Sequence, residues 1–378
     1  MKNIIKHTFQ VIYKKLYNAI YVITRKQKID KNKVIFVLSR GKKLEGNLKL
    51  IYEEMKMNYP TLNIHCVFAE NKMNVKLLKE LFLIKDAKYI ILDDYYLPVY
   101  LLNIKSEVKV IQVWHAAGAL KKFGYSTIGT SFGPSLAYLK IVPIHSNYTH
   151  VYVSSDHVKP FYAEAFNMDE TRIHSYGIPR TEMFLSNKLT QKEIVFNQLK
   201  IKEKEKLIIL WAPTYRAQGA NAETELDMLS MVKKVMKDIT KDVIVIYKPH
   251  PYSKINMKDF KGYPNFILAK DKNIDELMII ADALITDYSS VIFDYSLLKR
   301  PFAHFVPDLE EYEKNRGFYE PIQDISKGII IKELDYLIKW ILGRKKNEYF
   351  ETEKMIEYNF SNLENPTKKI INDFISES

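Results

Sequence analysis

The sequence contains a single cysteine, Cys66, in 378 residues. One cysteine excludes an intramolecular disulfide. No signal peptide with a small-residue cleavage site is visible either, so we expect a reducing, cytoplasmic location. An uninterrupted apolar run of about 18 residues is also missing, and we therefore predict no transmembrane helix. Lys14, Lys15 and Asn18 interrupt the nearest candidate, which lies at the N-terminus.

The sequence also has no group of residues spaced as metal ligands. Asp93 and Asp94 are interpreted as a loop pair rather than half of an Asp-x-Asp metal motif. We expect no cofactor, and no metal is expected to be obligatory for binding. Sequence motifs of RNA- or DNA-binding modules are missing as well, and the basic residues are not interleaved with stacking aromatics.

Positively charged side chains outnumber negatively charged ones. The sequence has 57 Lys and Arg against 45 Asp and Glu, which gives a formal charge of +12. Such a charge predicts an anionic partner, and a membrane surface or a phosphate-rich substrate fits better than nucleic acid.

Residues 2–28 have the pattern of an amphipathic helix. Lysines and an arginine flank an apolar stripe that recurs at spacings of three and four, formed by Ile5, Phe9, Ile12, Leu16, Ile20 and Ile23. This pattern is typical of a helix that lies in an anionic membrane interface. Packing of the same helix against the body of the protein is the alternative.

From Lys33 onward, strand and helix patterns alternate. Strands are predicted at 34–38, 63–69, 89–92, 108–114, 149–154, 207–211, 242–247, 266–268 and 283–286. This alternation predicts doubly wound α/β domains with parallel sheets. We expect an N-terminal helix at 1–30 and two such domains at 31–190 and 191–378.

Polar residues follow several of these strands. His115 follows 108–114, Thr214 and Arg216 follow 207–211, Lys248 and His250 follow 242–247, and Asp287, Ser289 and Ser290 follow 283–286. Ligands of open α/β sheets bind beyond the carboxyl ends of strands. In the stretch 282–301, the strand leads into a helix predicted at 291–299, whose N-terminus favours an anion. Arginine, lysine and a helix N-terminus together predict a phosphate site.

The motifs WHAAGALKKFG (114–124), GIPRTEMF (177–184), APTYR (212–216), KPHP (248–251) and ITDYSSVIFDYSLLKRPF (285–302) occur in this order. Together they resemble the CDP-glycerol:glycerophosphotransferase family of teichoic acid synthesis. The resemblance implies a GT-B-like fold, in which two Rossmann-type domains face a central cleft. It also implies peripheral association with the cytoplasmic face of the cell membrane.

The same resemblance implies the site residues. His115 and His250 would be the catalytic histidines. The residues that would contact the substrate are Trp114, Ala116, Ala117, Gly118, Pro179, Arg180, Thr214, Tyr215, Arg216, Lys248, Ser289, Ser290 and Asp294. The family often has glycine directly after the first histidine, where this chain has Ala116. We hypothesise that His115 is the base for an acceptor hydroxyl, and that His250 stabilises charge on the phosphate.

The implied reaction transfers glycerol phosphate from CDP-glycerol to a hydroxyl of a lipid-linked acceptor and releases CMP. The acceptor would be an undecaprenyl-linked saccharide or a polyol phosphate. The length of the chain favours a primase, which adds the first unit, over a polymerase. Alternatives are a CDP-ribitol donor, another nucleotide-sugar transferase, or a non-catalytic scaffold at the membrane surface.

Overall fold

The structure, a computed structural model, describes residues 2–25, 28–39, 43–131, 133–186, 189–214, 227–249 and 255–376. The chain divides into two compact units. Unit 1 comprises Met1–Glu182 and Phe360–Ser378, and unit 2 comprises Met183–Asn359. These bounds differ from the expected 31–190 and 191–378 mainly at the end of the chain, because the described residues 360–376 pack within unit 1.

Unit 1 is an α/β unit built on one parallel sheet. Its helices and strands are α1 (Lys2–Thr24), β1 (Asp30–Leu38), α2 (Gly46–Asn58), β2 (Asn63–Phe68), α3 (Val75–Ile84), β3 (Ala87–Leu92), α4 (Leu97–Leu101), β4 (Lys109–Gln112), α5 (Leu136–Ile141), β5 (His150–Tyr152), α6 (Lys159–Phe166) and β6 (Ile173–His174). The described strands form a six-stranded sheet in the order β2-β1-β3-β4-β5-β6.

Unit 2 repeats this architecture. After α7 (Glu182–Leu185), where the chain leaves unit 1, it contains α8 (Leu189–Leu199), β7 (Leu207–Trp211), α9 (Met228–Asp238), β8 (Val243–Tyr247), β9 (Phe266–Leu268), α10 (Ile274–Ile280), β10 (Ala283–Thr286), α11 (Val291–Ser296), β11 (Phe302–Phe305), α12 (Leu309–Asn315), α13 (Ile322–Ile325), β12 (Ile329–Ile331), α14 (Leu334–Leu342) and α15 (Glu353–Asn359). The described strands are parallel, in the order β12-β11-β10-β7-β8-β9. The prediction of two doubly wound α/β domains is confirmed.

The last helix, α16 (Pro366–Ser376), returns to unit 1. Its residues Ile370, Ile371 and Phe374 are fully buried in the same apolar cluster as β1 and β3. Apolar surface buried in this way is the main favourable term in folding. The helix is therefore part of the core of unit 1.

Helix α1 has two different faces. Tyr17 and Tyr21 are buried, and the Tyr17 hydroxyl donates a hydrogen bond to the carbonyl oxygen of Leu77 at 3.1 Å. Most of the stripe predicted from the sequence lies on the exposed side, where Ile5, Phe9, Ile12, Leu16 and Ile23 are each more than half exposed, whereas Ile20 is partly buried. The helix thus packs on unit 1 through tyrosines and leaves its aliphatic stripe uncovered. Within the described residues, the length and apolar content needed to cross a bilayer are not combined in any helix.

Candidate active site

The first candidate centre is the loop after β4. Trp114 has φ of +46°, an uncommon left-handed conformation for a bulky residue. The strand predicted at 108–114 is therefore too long, because β4 ends at Gln112 and the chain turns at Trp114. The Trp114 ring stacks on His115 at a centroid distance of 4.4 Å and on Phe123 at 4.9 Å. The turn and these two stacks fix the start of the loop that carries His115.

His115 is partly exposed, and its Nδ1 lies near two oxygen atoms of the segment that follows β3. Its Nδ1 lies 2.9 Å from the carbonyl oxygen of Asp93 and 3.9 Å from Oδ2 of Asp94. Because a carbonyl oxygen only accepts, Nδ1 carries the hydrogen in this bond, and the lone pair of the neutral ring then lies on Nε2. This is the tautomer that a general base needs if Nε2 is to take a proton.

The small residues that follow His115 are packed inside unit 1. Ala116, Ala117 and Gly118 are buried, and the Gly118 N–H donates to Oγ of Ser154 at 2.8 Å. The hydroxyl of Tyr162 donates to the Gly118 carbonyl oxygen at 3.1 Å. The backbone N–H and carbonyl groups of Gly118 are therefore engaged within the protein, and direct contact of these three residues with substrate remains a prediction.

Asn47, at the start of α2, connects this loop to Arg180, another of the predicted residues. Its Nδ2 donates to the Trp114 carbonyl oxygen at 2.9 Å, and its Oδ1 accepts from the Arg180 N–H at 3.0 Å. Arg180 is itself buried in the short 3-10 helix Pro179–Thr181. Asn47 thus links Arg180, which directly follows Pro179, to the Trp114–His115 loop.

The second candidate centre is at the carboxyl ends of β7 and β10 in unit 2. The carboxylate of Asp287 accepts from the Thr214 N–H at 2.9 Å and from the Tyr288 N–H at 2.7 Å. The Thr286 hydroxyl donates to the Ala212 carbonyl oxygen at 2.6 Å. These bonds hold the segments after β7 and β10 side by side, so Thr214 and the 287–290 segment belong to one centre.

Ser289 and Ser290 lie partly exposed between β10 and α11. Helix α11 has six residues and is shorter than the predicted 291–299: its C-cap is Leu297, and the turn that follows ends at Lys299 with a positive φ of +53°. A helix of this length has a smaller macrodipole than a longer one would have. Asp294, predicted to accept substrate hydroxyls, is fully buried in α11.

Lys248, directly after β8, is partly exposed and joins the same edge of the sheet. Its N–H donates to the Trp211 carbonyl oxygen at 2.8 Å, and its Nζ donates to the Lys270 carbonyl oxygen at 2.6 Å. Three other predicted site residues, Tyr215, Arg216 and His250, lie outside the described residues.

His304 supports the second centre from within the core. Its Nδ1 donates to the Asp287 carbonyl oxygen at 2.8 Å, and its Nε2 accepts from the Ser326 hydroxyl at 2.7 Å. Burial lowers the pKa of His304, so the ring is neutral at physiological pH. Bonds to both ring nitrogens make His304 a structural residue, and the bond to Asp287 ties it to the second centre.

Several of these supporting residues were missed from the sequence. The sequence pattern assigns Asp94 to a loop pair, and it does not distinguish Gln112 or Asn47 from their neighbours. Each acts through partners on neighbouring strands or helices, so the sheet order would have been needed to find them. Across the described residues, no three His, Cys, Asp or Glu side chains are grouped so that they could hold a metal ion.

Comparison with known proteins gives matches over nearly the whole chain. Residues 19–364 match the family described as CDP-glycerol:poly(glycerophosphate) glycerophosphotransferase. The chain is 35% identical to a teichoic acid ribitol-phosphate primase of Bacillus spizizenii, over 100% of this chain and 97% of that protein. It is 31% identical to a teichoic acid poly(ribitol-phosphate) polymerase of the same species, over 95% of this chain but only 58% of the polymerase.

A solved structure of the wall teichoic acid polymerase TagF superposes on the chain with a TM-score of 0.78. The match has 21% sequence identity and covers 100% of this chain and 97% of the TagF chain. At this identity the match shows the fold alone, which is GT-B-like as predicted. The family match and the full-length similarity to the primase lead to one conclusion: the chain belongs to the CDP-glycerol:poly(glycerophosphate) glycerophosphotransferase family, a family of teichoic acid phosphotransferases.

Proposed function

We propose that the chain transfers glycerol phosphate from CDP-glycerol to a hydroxyl of a lipid-linked acceptor in teichoic acid synthesis. The observation that carries this proposal is the geometry of His115 in a chain of this family. The imidazole is partly exposed at a strand end, and its Nδ1 is bonded to a carbonyl oxygen. This leaves Nε2 to accept the proton of an attacking hydroxyl.

In the proposed step, the acceptor oxygen forms a bond to the phosphorus that carries the glycerol. The bond between this phosphorus and the oxygen that bridges to the cytidine phosphate breaks, and CMP leaves with the bonding electron pair. His115 takes the proton of the acceptor hydroxyl. No electron transfer is involved, and the phosphodiester product, CMP and the proton on His115 together account for all atoms of the two substrates.

We assign the donor to unit 2. The Ser289 and Ser290 hydroxyls and the Lys248 ammonium group are the donors suited to pyrophosphate oxygens. The Asp287 carboxylate holds Thr214 beside them. Arg216 and His250 complete the predicted donor site, and His250 would stabilise charge on the transferring phosphate.

Ribitol phosphate is the second candidate for the transferred group. The specific observation in its favour is that the primase and the polymerase compared above are both ribitol-phosphate enzymes. CMP release from CDP-glycerol, CDP-ribitol and sugar nucleotides, each with the same lipid-linked acceptor, separates the candidates. We expect turnover of a CDP-polyol, and no turnover of either CDP-polyol would refute the proposal.

We further propose a primase role, in which one unit is added. The full-length similarity to a primase supports this role. The length of the product on a synthetic lipid-linked disaccharide tests it by mass spectrometry. A primase gives one added polyol phosphate even with excess donor, whereas a ladder of longer products identifies a polymerase.

The acceptor is proposed to lie at the cytoplasmic face of the membrane, which the chain would bind peripherally through α1. The exposed stripe of α1 supports this proposal, since aliphatic side chains beside lysines suit an anionic lipid interface. A scaffold without catalysis predicts the same membrane binding, and only the turnover assay distinguishes the two.

A further inference from the structure

The side chain of Gln112 links the two chain segments that hold His115. Gln112 is the last residue of β4 and is fully buried. Its Oε1 accepts from the Trp114 N–H at 2.9 Å, and its Nε2 donates to the Asp94 carbonyl oxygen at 3.2 Å. Disturbing a buried amide with such bonds costs free energy, because each lost partner leaves a buried polar group with no hydrogen bond to protein or to water.

Both segments matter for the orientation of His115. Trp114 precedes His115 and stacks on its ring, while Asp93 and Asp94 follow β3 and contact Nδ1. The strands β3 and β4 are neighbours, with Leu92 paired to Gln112. The Gln112 amide therefore sets the distance between the loop that carries the imidazole and the loop that receives its Nδ1–H.

The Trp114 peptide groups are held from both sides. The side-chain oxygen of Gln112 accepts a hydrogen bond from the Trp114 N–H, and the side-chain amide of Asn47 donates one to the Trp114 carbonyl oxygen. Trp114 is in the left-handed region, which a bulky residue keeps only when its surroundings enforce it. Without the Gln112 bond, we expect the turn at Trp114 to relax and His115 to leave its position.

We propose that Gln112 and Asp94 are positioning residues that keep the proton of neutral His115 on Nδ1 and direct Nε2 toward the acceptor hydroxyl. Gln112 acts through the backbone of Trp114 and Asp94, and Asp94 acts through its carboxylate and the segment it shares with Asp93. This inference rests on the proposed role of His115 as the base.

The test observes the tautomer directly by ¹⁵N NMR of the whole chain labelled with ¹⁵N-histidine. The His115 signals are those that disappear in His115→Gln. In the unmodified protein at a pH where the ring is neutral, we expect a protonated Nδ1 and an unprotonated Nε2. In Gln112→Leu we expect a mixture of tautomers, and kcat for CMP release should fall about 10- to 100-fold while the donor KM changes less than about twofold.

Asp94→Asn is the second variant, in case the buried Gln112→Leu change prevents folding. It keeps an oxygen for the Tyr95 N–H, which Asp94 Oδ1 accepts at 2.8 Å, and removes only the charge near Nδ1. We expect the same direction of change in tautomer and kcat. Tyr148→Phe is the control. It removes the third Gln112 bond, at 3.1 Å, together with the bonds of the Tyr148 hydroxyl to Tyr100 and His145, and it should leave the Gln112 bonds to Trp114 and Asp94, the tautomer and kcat unchanged.

An Nε2-protonated His115 in the unmodified protein overturns the inference. So does an unchanged tautomer and kcat in both Gln112→Leu and Asp94→Asn. Failure of the proposed function looks different: either no CDP-polyol is turned over or His115→Gln retains full turnover, while the tautomer measurement still reports whether Gln112 and Asp94 orient the ring.

Discussion

At the scale of single residues, His115 is the group on which the proposed chemistry depends. His115→Gln keeps a polar side chain of similar size but provides no base. Because general base catalysis contributes about 10²- to 10⁴-fold, we expect kcat to fall at least about 100-fold. The thermal midpoint should change little, because the imidazole is partly exposed. His157→Gln, at an exposed histidine of the same unit, is the control and should keep full activity. Equal activities of the two variants would exclude His115 as the base.

A second histidine, His145, provides a test of pH dependence. It is enclosed by aromatic rings, with Phe166 at a centroid distance of 4.3 Å and Tyr95 at 4.6 Å. Burial lowers the pKa of His145 to about 3. In the unfolded chain its pKa is about 6.5, so between these values the unfolded state binds the proton and the folded state does not. The free energy of unfolding therefore decreases as the pH falls below about 6.5.

His145→Asn removes this titration and suits the positive φ of +62° at the position. Urea unfolding of both proteins at about pH 7.5 and pH 5 measures the effect. The wild type should lose about 2 kcal/mol more than the variant on acidification, since each pH unit below the unfolded pKa corresponds to about 1.4 kcal/mol. His304 is present in both proteins, so its contribution to the pH dependence of the unfolding free energy cancels in the comparison. Equal losses would show that His145 is protonated in the folded state.

Sequence patterns predict individual site residues only in part. His115 could be found because it follows an apolar run and lies in a recognisable motif. The turn at Trp114 could not be predicted, because tryptophan at the end of an apolar run favours continuation of the strand. Its left-handed conformation depends on the bonds to Gln112 and Asn47, which the sequence does not show. Asp94 lies 21 residues before His115, and only the pairing of β3 with β4 brings the two together.

At the scale of helices and strands, buried runs were the most predictable elements. The strands predicted at 207–211 and 266–268 coincide with β7 and β9. Strand β11 was not predicted, because His304 interrupts its apolar run. The structure resolves this conflict by bonding both nitrogens of a neutral His304 inside the core. A polar residue with two buried partners can occupy a central strand, but the sequence does not reveal those partners.

Helix α1 carries the test of membrane binding. We expect Ile12→Asp combined with Leu16→Asp to reduce binding to anionic vesicles about 100-fold, because the two apolar side chains together contribute about 3 kcal/mol or more in the lipid interface. Stability should be retained, since both residues are 59% exposed. His7→Asp with Thr8→Asp, also exposed on α1, adds the same charge outside the stripe and should bind more tightly. Vesicle flotation measures both, and equal binding would exclude the stripe as the lipid contact.

At the scale of the whole molecule, the return of α16 to unit 1 connects distant parts of the chain. The ring of Phe374 packs on the ring of Tyr89 in β3 at a centroid distance of 5.7 Å. The Tyr152 hydroxyl donates a hydrogen bond to the carboxylate of Asp373 at 2.6 Å. Sequence periodicity predicted the two domains and a boundary close to the first crossing between units. It could not assign residues 360–378, because an amphipathic helix does not specify which apolar surface it covers.

Phe374→Ala tests this assignment. Removing the buried ring should destabilise unit 1 by about 3–5 kcal/mol. Hydrogen exchange followed by mass spectrometry should then show faster exchange in β1 and β3, with β7 and β10 unchanged. Lys368→Ala, at an exposed position of the same helix, is the control and should leave all four strands protected. Faster exchange in β7 and β10 alone would place α16 with the other unit.

Unit 1 is built from two separate segments of the chain, and this affects the order of folding during synthesis. The ribosome produces the first 182 residues of unit 1, then all of unit 2, and only afterwards the segment that contains Ile370, Ile371 and Phe374. Unit 2 is continuous in the chain and can complete its core while translation proceeds. Unit 1 must wait with an uncovered apolar surface on β1 and β3, although it emerges first. The nascent chain is therefore most exposed to aggregation in its N-terminal half, and this exposure ends only when α16 leaves the ribosome.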